Sequence, residues 1–115
     1  MITDKGKSLI AQHLIDTFTK SNVGTGGNNT SSAQLELDVP LLSSPVTVAG
    51  VKSNENVVDF KVTIQGSESS ITGRTLREIC LEDTSGNLLL RIPFEGIGPF
   101  SSSEEVEFFI AVEVE

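Results

Sequence analysis

The chain has 115 residues, enough for one domain around one lean core, with 37% hydrophobic residues and six Phe as its only aromatics. Acidic residues outnumber basic ones by 16 to 8, giving a formal charge of −8. The scattered Lys and Arg form no stripe, which argues against a nucleic-acid partner. No apolar run approaches the roughly 20 residues that span a bilayer, so no membrane partner is expected; the opening MITDKGKSLIAQ has no continuous apolar stretch of secretory type.

Residues 3–18 read as a helix. Thr3 is placed to cap it, and Asp4 suits the positive end of its dipole. Leu9, Ile10, His13, Leu14 and Phe18 recur at helical spacing and predict one apolar stripe. Such a helix is marginal alone, so that stripe is expected to dock on its own sheet or on a neighbour.

Residues 19–32, TKSNVGTGGNNTSS, read as a long polar surface loop anchored by Val23. From 33 to 51, Leu35, Leu37 and Val39 alternate before Pro40 and Pro45, which predicts short edge pieces; Val46, Val48 and Val51 begin a further strand. KSNEN at 52–56 is a turn. Val58, Phe60, Val62 and Ile64 then alternate with polar residues, a strong strand signal closed by GSESS at 66–70.

Residues 71–94 predict a β-hairpin. Two apolar runs flank Asp83-Thr84-Ser85-Gly86-Asn87, where Gly86 and Asn87 can take positive φ. Leu88, Leu90, Ile92 and Phe94 are expected on one side of the second arm. Residues 95–103 read as a loop containing Ile97 and Phe100. In the last strand Val106, Phe108, Ile110, Val112 and Val114 point one way, which leaves Phe109 on the exposed side. The sum is a mainly β, antiparallel β-sandwich of about six strands with one N-terminal α-helix: helix 3–18, loop 19–32, sandwich 33–115.

Chemistry is hard to assemble from these residues. Gly6-Lys7-Ser8 lacks the upstream glycine and strand of a phosphate loop, and Gly24-Thr25-Gly26-Gly27 follows a helix, not a strand. His13 is the only histidine and Cys80 the only cysteine, so no disulfide forms within the chain, and no His/Cys cluster suggests a metal. Cys80 reads as a small packed residue. Glu104-Glu105 reads as a solvated rim, Asp83/Ser85/Asn87 as a turn, and Asn28 and Asn29 as glycosylation-like matches without a secretory route. The expectation is no enzyme, no cofactor and no metal. The candidate site is an interface formed by Leu9, Ile10, His13, Leu14, Phe18, Val23, Ile97, Phe100 and Phe109.

The order of features resembles a family of small virion proteins of tailed phages and tailed archaeal viruses, labelled tail-fibre, collar-fibre or tail structural proteins. The resemblance rests on Met1-Ile2-Thr3-Asp4 with Gly6 and a helix, Val23-Gly24-Thr25-Gly26-Gly27, Thr30-Ser31-Ser32-Ala33-Gln34-Leu35 and the strand at 60–64. It continues through Ile71-Thr72, Leu76-Arg77-Glu78-Ile79-Cys80-Leu81, Ser85-Gly86, Leu89-Leu90-Arg91 with Phe94, and the strand at 105–114. The chain departs from the family at Arg77-Glu78-Ile79-Cys80, where an extended strand with a pair of small residues is usual, and in the short segment before Val23. The resemblance implies a homo-oligomeric subunit of a tail, neck, collar or tail fibre that docks on other virion proteins after assembly in the host cytoplasm. A capsid decoration or turret protein is the alternative, and a receptor- or glycan-binding module a lesser one.

Overall fold

A computed structural model describes residues 1–26 and 36–115. Its elements are α1 (Asp4–Thr17), β1 (Lys20–Gly24), β2 (Val46–Thr47), β3 (Ala49–Asn54), β4 (Val57–Gln65), β5 (Leu76–Glu82), β6 (Leu88–Ile97) and β7 (Glu105–Glu113). All strand pairs are antiparallel and form two sheets, ordered β2-β1-β5-β6 and β3-β4-β7. The core lies between them, so the sandwich-like, mainly β class expected from the alternating strands is what the chain adopts.

The strongest alternations produce the regular pair at the centre of the smaller sheet. Val58, Phe60, Val62 and Ile64 of β4 are buried. They pair with Val112, Ile110, Phe108 and Val106 of β7 in one unbroken register. β5 and β6 form the expected hairpin. Its turn is held by the Asp83 carboxylate, which accepts from the backbone N–H of Ser85 and Asn87 and from the Asn87 side chain. Gly86 takes φ +85°; Asn87, expected to share that conformation, does not.

Several expectations need correction. Polar Lys20–Gly24 is an interior strand, not a loop, and Val23 is fully buried. Its polar side chains are partnered: Ser21 Oγ donates to the Cys80 carbonyl at 2.6 Å. Asn22 pairs with the backbone of Leu42, donating from Nδ2 at 2.9 Å and accepting at Oδ1 at 3.1 Å. It thus replaces a ladder link where the chain bulges between its bridge at Pro40 and β2. The rest of that expected loop, together with Asn28, Asn29 and the 30–35 run, lies mostly within 27–35, outside the described residues. Residues Glu95 to Ile97, read as loop, continue β6, and the Gly98–Pro99 bond that follows is cis.

The second arm also departs from simple alternation. Register shifts between Leu81 and Glu82 and between Leu76 and Glu78 let Leu89 and Leu90 both pack on the core, while Ile92 is exposed. The helix keeps its cap, with Thr3 Oγ1 accepting from Gly6 N–H at 3.0 Å, but its inward side is not the predicted stripe. Ala11 is its buried residue and Ile15 packs beside it; Leu9, Ile10 and His13 face solvent. The sheet explains this choice. α1 lies against β3 and β4 over Gly50, where an added Cβ would meet Phe60, Val58 and Ile15 at 2.9, 2.9 and 3.2 Å. The missing side chain at Gly50 makes room for Ile15, and Ala11 is buried in the same core cluster. Lys52 Nζ reinforces the dock by donating to Ser8 Oγ at 3.0 Å.

Candidate interaction surface

Two parts of the molecule bear on function: an uncovered sheet face with an outward helix edge, and a buried charged anchor behind the other sheet. The first follows from strand period. With alternate residues of β3, β4 and β7 committed to the core, their neighbours form an outer face. Its registered rows are Val51–Asp59–Ala111 and Ala49–Lys61–Phe109. Phe109 is 74% exposed and Val51 66%, with Ala49 and Ala111 also exposed. Lys61 sits in the middle and pairs with Glu107 at 3.4 Å, both side chains largely solvated, so the pair contributes little to stability. On the helix, Leu9 and Ile10 are 59% and 41% exposed.

The expected interface residues therefore separate. Leu9, Ile10, His13, Ile97 and Phe109 are on the surface, and Leu14 and Phe18 are half-buried. Val23 and Phe100 belong to the core and cannot meet a partner in the folded chain. Among the described residues, His13 makes its side-chain hydrogen bond with Thr17 of its own helix, at 3.4 Å. Val51 and the small residues around Phe109 were missed. The signal was available in Phe109 and Ala111, which lie between the core positions of β7, but the neighbouring strands that complete the face could not be paired from sequence.

The second part was not foreseen. Glu78 is fully buried on β5, opposite Gly24 of β1. Its carboxylate accepts three backbone N–H bonds, from Gly26 at 3.0 Å and from Asp38 and Val39 at 2.9 Å each. Arg91 Nε lies 3.5 Å away as an ion pair, and Arg91 Nη2 reaches Asp38 at 3.4 Å. A Cβ at Gly24 would collide with the Glu78 carboxylate and the Val39 carbonyl. These bonds tie Gly26, Asp38 and Val39 to β5. The hint in sequence was a lone glutamate inside the apolar run Leu76 to Leu81.

Compared with known proteins, no family model, curated protein or solved structure matches this chain.

The remaining titratable groups serve local structure. Burial pushes the Cys80 thiol up to about 12, against a weaker opposing hydrogen bond involving Asn22, so it is a poor nucleophile. Cys80 lines a shallow cleft of ≈ 260 Å³ with Leu37, Pro40, Leu42 and Glu82. Burial, followed by the Asp83 charge, raises the Glu82 carboxyl. The Asn87 side-chain hydrogen bond leads in holding Asp83 low. Such a split can mark an acid–base pair, but Asp83 already accepts three turn hydrogen bonds. Glu104 is lowered chiefly by its hydrogen bond from the Ser101 backbone, at 2.8 Å, and Glu105 accepts from Gln65. Among the described residues, no three His, Cys, Asp or Glu side chains gather to hold a metal.

Proposed function

We propose that this protein is a structural subunit of a tailed-virus particle, in its tail, neck, collar or tail fibre, acting by self-association and by docking on neighbouring virion proteins. The observation that carries the reading is the outer face of β3-β4-β7, where Phe109 and Val51 stand exposed over Ala49 and Ala111. A domain with few large apolar groups gains stability by burying them, and a face of this kind is suited to a partner. The family resemblance supplies the setting. The sandwich supplies a platform in which Glu78 ties Gly26 and Asp38 to β5.

Sedimentation velocity and native mass measurement at micromolar concentration test the self-association. The expected result is a discrete symmetric oligomer that dissociates on Phe109→Ser combined with Val51→Ser, the β-rich circular dichroism being kept. Immunogold labelling of purified tails and heads tests the setting. A protein that stays monomeric and is absent from purified particles is not such a subunit; label on heads alone makes it a capsid decoration protein.

A further inference from the structure

A sheet with open edges must protect them from unwanted pairing, and among the described residues the two sheets have four edge strands. β2 is only two residues long. β3 carries a register shift at Lys52/Asn54 and has α1 packed against it. β6 contains Pro93 and two register shifts. β7 has none of these devices. It runs nine residues without proline, in unbroken register with β4 from Glu105 to Glu113.

The hydrogen-bond phase of β7 is set by its ends. Val114 N–H donates to the Asn56 carbonyl and Gly66 N–H to the Glu104 carbonyl, both at 2.7 Å. The even-numbered residues of β7 therefore bond to β4. The N–H and C=O groups of Glu105, Glu107, Phe109, Ala111 and Glu113 point to the open side. The side chains of these same residues lie on the outer face, all of them exposed. On the other face Val106, Phe108 and Val112 are half-buried, whereas the β4 residues they pair with are fully covered.

We propose that the open edge of β7 is a strand-addition site for an extended segment of another protein that alternates basic and apolar residues. The basic positions face Glu105, Glu107 and Glu113, and the apolar positions continue the row of Val106, Phe108 and Val112. Charge selects this occupant. Three carboxylates on one edge of a chain already at −8 repel a second copy of the same strand and attract a cationic one. Main-chain bonds supply affinity and the side-chain alternation supplies register. The site's main-chain bonds come from the edge of β7, while its outward side chains border the self-association face; it stands whether or not the virion reading does.

The test uses the full chain and three synthetic nine-residue peptides, alternating lysine with valine, glutamate with valine, and lysine with proline. Binding is followed by backbone amide NMR and by hydrogen exchange. The lysine–valine peptide is expected to shift and protect the Glu107, Phe109 and Ala111 amides. It should bind roughly tenfold more tightly than the glutamate peptide at low salt, a gap that narrows as salt is added. The proline peptide should not bind. Ala111→Pro, which removes a donor pointing away from β4, should abolish binding while Glu107→Lys combined with Glu113→Lys reverses the peptide preference. Indifference to peptide charge, protection confined to other strands, or a concentration-dependent self-association that protects these amides and survives Phe109→Ser combined with Val51→Ser each overturns the proposal; the last assigns the edge to a second copy.

Discussion

Single residues settle the joints of this fold. Glu78 is the clearest case, a buried carboxylate holding three backbone donors with Arg91 beside it. Glu78→Ala leaves those donors unmatched and takes the nearby carboxylate from Arg91 Nε, although Nη2 keeps Asp38. It is expected to cost about 3–5 kcal/mol, read as a fall in the urea midpoint; Glu78→Gln, which keeps an acceptor, should lose about 1–3 kcal/mol. Adding Arg91→Met to Glu78→Ala should recover part of the loss, because the buried Nε–H facing the gap is then gone. Acid sensitivity arises at residue scale too. Asp83 and Glu104 are held below the ordinary carboxylate range by hydrogen bonds. Their contribution is present above the unfolded carboxylate pKa, about 4, and is lost as pH falls through their folded values. Glu82, raised by burial, acts in the opposite sense: its contribution is present at low pH and is lost as pH rises through its folded value. Urea midpoints measured from about pH 6 to about pH 2 should therefore fall less steeply in Asp83→Asn or Glu104→Gln and more steeply in Glu82→Gln.

At the scale of elements, the period of a segment predicted its type better than its facing. The alternation in β4 and β7 was legible because every second residue is a large apolar one and no bulge interrupts it. In α1 the larger apolar residues looked like the buried stripe, yet Ala11 is the residue that is fully buried and Ile15 the one that packs at Gly50. Ala11→Leu should overpack this contact and destabilise the protein by about 1–3 kcal/mol. Leu9→Ser and Ile10→Ser should leave the thermal midpoint nearly unchanged, within about 0.5 kcal/mol. Calorimetry on the three variants separates the two assignments: a large loss from Leu9→Ser would restore the stripe to the core. β1 shows the converse error. Its Ser21 and Asn22 look like loop residues, but partners 59 and 20 positions away absorb their polarity.

For the whole molecule, charge and uncovered surface pull in opposite directions. Copies carrying −8 each repel at long range, whereas the proposed self-association relies on burying Phe109 and Val51 at contact. Salt shortens the repulsion without weakening apolar burial, so the self-association described above should strengthen from low to physiological ionic strength. Sedimentation across a salt series checks the sign. Association that weakens with salt would mean that opposite charges, and not the apolar face, hold the copies together. The peptide at the β7 edge should respond in the opposite direction, which separates the two surfaces in one experiment.

By itself the sequence determined the β-rich class, the capped helix, the hairpin at Asp83 to Asn87 and the inward rows of β4 and β7. These depend on local periodicity, capping and turn chemistry, which neighbouring residues carry. Only the tertiary structure decided that Val23 and Phe100 are core, that Leu9 and Ile10 are not, and that Glu78 anchors residues distant in the chain. Only it showed that, among the described residues, the outer edge of β7 pairs with no strand. Those outcomes depend on which strands become neighbours, and that choice is made by long-range packing rather than by any stretch of residues alone.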